Sequence, residues 1–386
     1  MTEDSKAVEK TYEEFVVENH KCSLNSLKYK SGELIFEGVS FNSGLLSFDN
    51  ELINCSIGTN QLKTFSVSDK KSNISYTDVK KFKFIDCKFS DDTFFKKNLE
   101  SLIFEECVFE KRCYINNQYE TNTALIEINR IVIKKTVFKE NFKLHNTVIG
   151  YFHIEDTDFI KNADFFKSVF ESGKDNNINF VAINFHALAL FGNTEFKQLL
   201  QFKYVTFKGY SHFRSALFKQ GFDLEYANIE QEMNFFDIRG LDRKDSKKTT
   251  SQETYRIIKH QLQKVGNIIG ANKYHSLELS KRRQQLSFYS FDYLVLLFHW
   301  VSSNHSQSWL LPLIWIFIVG SLTSWGVANS CSECCFYQIE HIFKYISIFN
   351  LDDCLKKLPI IFVMNKVSLG YLYYQFLTAI RKDTRK

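Results

Sequence analysis

Broken every eleven positions, residues 180–240 read FVAINFHALAL, FGNTEFKQLLQ, FKYVTFKGYSH, FRSALFKQGFD, LEYANIEQEMN and FFDIRG. Phe180, Phe191, Phe202, Phe213, Leu224 and Phe235 head the six rows. A smaller residue follows three positions later in each row: Ile183, Thr194, Val205, Ala216, Ala227, Ile238. Two positions on stands a second large apolar residue, Phe185, Phe196, Phe207, Phe218 and Ile229. The unit is F-x-x-(small)-x-F followed by five mostly polar positions. An α-helix repeats its apolar stripe every 3.6 residues and cannot keep this register. A coil that returns to the same place at a fixed period can, each turn burying its apolar column on the turn below.

The unit extends upstream. Phe36–Phe41, Leu52–Ile57 and Leu62–Val67 fit it at varying distances, and Phe84–Phe89, Phe104–Phe109, Ile133–Phe138, Leu144–Ile149, Ile154–Phe159 and Phe165–Phe170 follow. Polar inserts at Lys70–Asn73, Asn116–Asn122 and Ser172–Asn177 read as loops bulging from corners. The pattern predicts a mainly β solenoid over residues 21–240 with Phe185, Phe196, Phe207 and Phe218 inside. Some nine or ten turns at about 4.8 Å would make a rod on the order of 45 Å long. Residues 1–20 read as a polar cap or arm over its first turn.

This spacing, with a small residue two before each large one, resembles the bacterial pentapeptide-repeat proteins. The resemblance covers roughly Leu34 to Gly240 and implies a right-handed quadrilateral parallel β-helix, four short sides to a turn. Eleven residues would then be two sides and twenty-two a turn. The stretch E-T-Y-R-I-I-K after Gln252 and the close G-Y-L-Y-Y-Q-F-L-T-A-I-R-K look like the membrane-linked members of that family.

The chain has 386 residues, 39 of them Phe and only two Pro. Residues 1–240 carry 30 basic and 34 acidic side chains; the whole chain has 49 and 44, so residues 241–386 hold 19 and 10. Positive charge gathered beside apolar segments suits a membrane surface better than nucleic acid. The acidic opening, Met1 to His20, has no secretory signal core. Cys55, Cys87 and Cys107 fall at the small position of the unit and are expected to act as small hydrophobes, while Cys22 and Cys113 have no evident role.

From Thr250 the pattern turns helical. Thr250-x-x-Glu253 reads as a capping box, Gly266-Asn267 as a stop, and a helical hairpin is expected over residues 250–286. Residues 287–386 read as a membrane domain. Phe288–Val301 is too short to span and suits an in-plane or core helix, whereas residues 310–328 and 358–380 are the expected spans, the second weaker because of Lys366. Lys281, Arg282 and Arg283 before the spans and Arg381, Lys382, Arg385 and Lys386 after them place both termini in the cytoplasm. The expected location is the inner membrane, multi-pass, with the repeats in the cytoplasm.

Candidate chemistry is sparse. Cys331, Cys334, Cys335 and Cys354 could form a disulfide, remain thiols, or, with His341, hold a metal. His145, His153, His186 and His212 share no motif and suit surface or packing roles. Lys366 could snorkel to the interface or face a partner helix. Between the spans, Phe336–Phe349 is amphipathic, with Ile339, Ile342, Phe343 and Ile346 on one face and Asp352 and Asp353 beyond, a layout shared with two-span cation channels although T-V-G-Y-G is absent. No Ser-His-Asp spacing, phosphate loop or H-E-x-x-H occurs. The expected function is a membrane-anchored, non-catalytic scaffold that binds membrane lipid and a protein; the open end of the coil calls for a cap or for a second copy, which would make a homo-oligomer. No cofactor and no nucleic acid are expected. The second reading is a two-span channel with a regulatory β-helix, using Asp352, Asp353 and Lys366. A topoisomerase-protecting DNA mimic, a role known in the family, fits poorly with the weak net charge of residues 1–240.

Overall fold

The computed structural model describes residues 80–116, 125–172, 177–330, 339–349 and 353–384, with short strands between residues 27 and 55. The expected arm over residues 1–20 and the unit at Leu62–Val67 lie outside the described residues. Two compact units divide the chain, Met1–Thr254 and Tyr255–Lys386.

The first unit is a parallel β-solenoid. Its inward residues stack in four columns, one per side of the turn. The first runs Phe84, Phe104, Ile133, Ile154, Phe180, Phe202, each paired in register with the next. The second runs Phe89, Phe109, Phe138, Phe159, Phe185, Phe207. The third carries Phe165, Phe191, Phe213 and Phe235 as a ring stack with centroids 4.8, 4.8 and 5.5 Å apart. The fourth holds Ile149, Phe170, Phe196 and Phe218. Rows of eleven therefore alternate between two walls, Phe180 and Phe202 on one, Phe191 and Phe213 on the other. Twenty-two residues close a turn.

Six turns separate Phe84 from Leu224, about 29 Å of rod at the strand spacing, not the nine or ten expected. The difference lies upstream. Phe36 pairs directly with Phe84, so these two residues stand on successive turns although forty-eight positions separate them. Ile53–Cys55, the described part of the Leu52–Ile57 unit, pairs antiparallel with Leu46–Phe48 and not parallel as a wall would. Apolar spacing alone cannot separate these cases. Lys70–Asn73 and most of the other two expected inserts lie outside the described residues; the strands on either side of 117–124 and 173–176 stay in register.

The five-residue unit is a corner. In eleven units the third residue takes a left-handed backbone: Asp86, Glu106, Lys135, Asn146, Asp156, Lys167, Ala182, Asn193, Tyr204, Ser215 and Asp237, with φ between 48° and 57°. The next residue is the small one. It is buried, and where it has a hydroxyl or thiol it donates to a carbonyl. Thr136, Thr147 and Thr157 bond the carbonyl two residues back at 2.7–2.9 Å. Ser168 and Thr194 reach Leu144 and Phe165 on the turn below. Cys87 and Cys107 do the same, with Sγ 3.3–3.5 Å from carbonyl oxygens. These thiols act as weak donors in place of Thr and not simply as small hydrophobes. The side chain of Cys55 and residue Cys22 lie outside the described residues, whereas Cys113 is wholly buried in the third column's strand.

The far end of the solenoid is closed by hydroxyls. Helix α1 (Lys244–Thr249) and the start of α2 (Gln252–Lys264) follow Gly240, whose φ is +94° and where a side chain would collide with the Phe218 carbonyl. Thr250 Oγ1 accepts from Phe222 N at 3.2 Å and Thr254 Oγ1 from Leu224 N at 2.8 Å. Ser246 Oγ donates to the carbonyls of Phe218 and Lys219. The last strand thus finds partners for groups that an open edge would expose. This corrects the capping box. Thr250 serves the strand, and Ser251 Oγ accepts from Thr254 N to cap α2.

The second unit is helical: α3 (Ile268–Gln285), α4 (Phe291–Ser303), α5 (Leu310–Ser330), α6 (Ile339–Ile346), α7 (Asp353–Lys356) and α8 (Pro359–Thr384). Between α2 and α3, Gly266 has φ +75° and Asn267 Oδ1 accepts from Gly270 N at 2.9 Å. Ile316 of α5 packs with Leu369 and Leu372 of α8, and Val327 with Tyr345 and Leu355. On α6 Tyr345 is buried and Ile342 and Ile346 are half-buried, while Phe343 is 62% exposed; the side chain of Ile339 lies outside the described residues. Among the described residues only α5 is long and apolar enough to cross a bilayer by length and composition. At 26 residues α8 is long enough, but Asn365, Lys366 and Gln375 interrupt it.

Candidate functional site

The four phenylalanines expected inside the solenoid are there: Phe196, Phe207 and Phe218 are 0% exposed and Phe185 1%. The polar candidates are not brought together. Cys331, Cys334, Cys335, the side chain of Cys354, and Asp352 lie outside the described residues, and so does the side chain of His341. Asp353 is exposed at the start of α7 and pairs with Lys356 at 3.0 Å. Lys366 Nζ lies over the ring of Phe362, one turn back along its helix, at 5.8 Å, and donates to the Ser347 carbonyl at 3.0 Å, just past the C-terminus of α6, where the helix dipole favours a cation. No group of three His, Cys, Asp or Glu able to hold a metal occurs among the described residues.

On the solenoid the histidines pair with carboxylates of their own or a neighbouring turn. His145 lies 2.9 Å from Asp164, His153 3.2 Å from Glu155 and His186 3.7 Å from Asp158. Burial pushes the fourth, His212, below the usual imidazole range. Lys83–Glu105, Lys134–Glu155, Lys135–Glu106, Lys139–Glu110, Lys197–Glu171 and Lys219–Glu195 link one turn to the next across the surface. Exposed aromatics break this charged lacing in the last turns. Tyr204 and Tyr226 are 70% and 57% exposed, with ring centroids 5.8 Å apart, and Arg214 lies over the exposed ring of Phe236.

The densest buried polar cluster is in the helical unit, where α4 runs out. Residues 299–308 read HWVSSNHSQS. Asn304, His305 and Ser306 are successive left-handed residues, with φ of 49°, 56° and 63°. Each such residue costs about 1–2 kcal/mol, so the surroundings must hold the turn. They do. Ser303 Oγ accepts from Ser306 N at 3.0 Å and donates to Gln375 Oε1 of α8 at 3.0 Å. Ser302 Oγ bonds Tyr371 at 3.2 Å, and Gln307 Nε2 donates to the Asn272 carbonyl of α3.

Two imidazoles form the centre of this knot. His299 Nδ1 and His305 Nδ1 are 3.2 Å apart, and His299 Nε2 is 3.2 Å from Ser306 Oγ. One proton must lie between the two Nδ1 atoms, since two would repel and none would leave both lone pairs facing. Both rings resist a second proton. Burial lowers His299, and burial together with the neighbouring His299, Arg283, His275 and Lys382 lowers His305 to about 3. His305 is 0% exposed, and its Nε2 has no hydrogen-bond partner among the described residues.

One hint of this knot is legible in residues 299–308: a run of Ser, His, Asn and Gln wedged between two apolar segments. His299 reads there only as an interruption of a short apolar stretch. Which polar groups meet depends on α8 returning from seventy residues away, and no local pattern encodes that. A second buried polar contact, Asn365 Nδ2 to Thr323 Oγ1 at 2.9 Å and to the Tyr345 carbonyl, ties α8 to α5 and α6. No protein-family model, curated protein or solved structure matches the chain.

Proposed function

We propose that the chain is a membrane-anchored solenoid scaffold of the pentapeptide-repeat kind, whose coil binds a protein while the helical unit holds it in the inner membrane. One observation carries the anchoring. Exposed large apolar side chains gather on three helices: Phe291, Leu294, Val295, Phe298 and Val301 on α4; Leu310, Ile314, Phe317, Leu322 and Trp325 on α5; Ile360, Val363, Met364, Val367, Tyr374 and Leu377 on α8. These are stripes at helical spacing that face outward. In water such patches are a liability; against acyl chains they are the stable surface. The helix α4, about 20 Å long at 1.5 Å per residue, suits the plane of the interface. The basic residues flanking α5 and α8 orient both ends toward the cytoplasm.

The partner surface is the end of the coil bearing Tyr204 and Tyr226. Exposed tyrosines supply large, stiff contact area at little entropy cost and are enriched where proteins bind. The rest of the wall is charge-paired turn to turn, and exposed pairs of that kind add little to affinity. A photo-crosslinking residue at Tyr204 of the membrane-bound chain should capture one specific protein, and the same residue at Val363 should capture lipid. If Tyr204 captures no protein, the scaffold reading fails.

A second reading, a two-span channel, rests on Asn365. It is 2% exposed in mid-helix, and its Oδ1 has no partner among the described residues. Buried polar groups at such a depth mark ion or proton paths in many membrane proteins. Unitary currents from the purified chain in a planar bilayer, abolished in Asn365→Leu, would favour this reading.

A further inference from the structure

Basic groups from two helices converge on the Asn304–Ser306 turn, and no acid among the described residues balances them there. Arg283, in the last turn of α3, lies over the Trp300 ring at 4.2 Å and has no carboxylate partner among the described residues. Lys382, in the last turn of α8, is half-buried and likewise has none. His275 is already engaged: it sits 3.4 Å from Glu278, which also takes Arg256 and Lys259. The helix C-termini lend Arg283 and Lys382 some negative potential. They give His305 Nε2 no acceptor, and a buried polar nitrogen left unpaired is costly.

The hydrogen-bond chain has a direction that fits a missing acceptor. Ser306 O–H donates to His299 Nε2, His299 Nδ1–H donates to His305 Nδ1, and His305 must then carry its own proton on Nε2. Ser306 Oγ lies 3.4 Å from Gln375 Oε1 and 3.2 Å from His299 Nε2; with the Ser303 proton on Gln375 Oε1 at the shorter 3.0 Å, the Ser306 proton goes to His299. In this arrangement both rings stay neutral and every contact has one proton. The chain ends in a single buried N–H donor, on an imidazole that feels the charges of Arg283 and Lys382, neither of which has a carboxylate partner among the described residues.

We propose that this is a binding site for a phosphate group, with His305 Nε2–H, Arg283 and Lys382 donating to its oxygens. The exposed apolar stripe of α4 leads away from the site, so the headgroup of an anionic phospholipid is the natural source. That source, though not the phosphate chemistry, rests on the membrane reading above.

The test uses the purified full-length chain in detergent micelles, following its thermal midpoint as phosphatidylglycerol, phosphatidylcholine or inorganic phosphate is added. Phosphatidylglycerol should raise the midpoint saturably and phosphatidylcholine should not. Lys382→Gln and Arg283→Gln, which lie at the rim and leave the buried knot intact, should each weaken the apparent affinity about fivefold, the equivalent of ~1 kcal/mol per cation near the surface. His305→Gln should weaken it further. Stabilisation by inorganic phosphate alone would keep the site and assign it to a free anion. A chain that stays soluble without detergent yet still binds phosphate would sink the membrane reading and leave the site standing. If neither phosphate-bearing ligand shifts the wild-type midpoint, or the rim variants respond like wild type, there is no phosphate site.

Discussion

Phe191 and Phe213 lie face to face, ring centroids 4.8 Å apart and planes 2° from parallel, although twenty-two residues separate them. Phe165 stacks on the other face of Phe191 at the same 4.8 Å. A ring held on both faces has no room to relax. Phe191→Ala should lower stability by about 3–5 kcal/mol, and Phe191→Leu by far less. Denaturant unfolding of the chain checks this. Similar losses for both variants would mean that the stack contributes no more than generic apolar burial.

The left-handed corners make an opposite prediction for small residues. Ala182 has φ +54° at a corner where no glycine is used, and L residues other than Asn and Asp pay to sit there. Ala182→Gly should raise stability by about 0.5–1 kcal/mol after the added freedom of the unfolded chain is subtracted. In a strand centre the same change would be destabilising. A lower melting midpoint for Ala182→Gly would show that the corner is not strained.

Thr254 accepts from Leu224 N at 2.8 Å at the closed end of the coil. Thr254→Val keeps the shape and removes the acceptor, so a buried N–H is left bare at a cost of about 1–3 kcal/mol. The Leu224 amide should then exchange with solvent faster, while the Phe202 amide one turn inside should not. Equal protection at Leu224 in both proteins would mean that the hydroxyl is not the cap.

Glu278 gives the helical unit a pH dependence. Burial pushes its carboxyl up, but hydrogen bonds from His275, Lys259 and Arg256 outweigh that and hold it at about 2. A carboxylate depressed in the folded state contributes stability above its unfolded pKa, near 4.3, and that contribution fades as pH falls toward 2. The total is on the order of 3 kcal/mol. The melting midpoint of the helical unit should fall between pH 5 and pH 2, and Glu278→Gln should flatten that decline. A decline of the same size in Glu278→Gln would place its origin elsewhere.

Where the chain repeats itself, the fold could be read from the residues. The alternation of five and six between large apolar side chains follows from corners such as Phe213–Phe218, in which a left-handed Ser215 and a small Ala216 turn the chain. Such a unit is local, so eleven residues carry it. The number of turns was not legible. Leu52–Ile57 has the right apolar spacing, and yet its described part, Ile53–Cys55, pairs antiparallel with Leu46–Phe48, because pairing partners are chosen by the whole sheet. Thr250 looked like a helix cap in the same way, until the edge of the last strand claimed its hydroxyl. The histidine knot was the least legible. His299 and His305 are close in sequence, but what makes them a site is Gln375, Lys382 and Arg283, brought in by two other helices.

Membrane anchoring is tested most directly by alkaline carbonate extraction of membranes from cells that produce the full chain. Outward stripes on α4, α5 and α8 predict that the protein stays in the membrane pellet and leaves it only in detergent. Recovery of folded protein in the carbonate supernatant would contradict membrane anchoring and require another partner to cover those stripes.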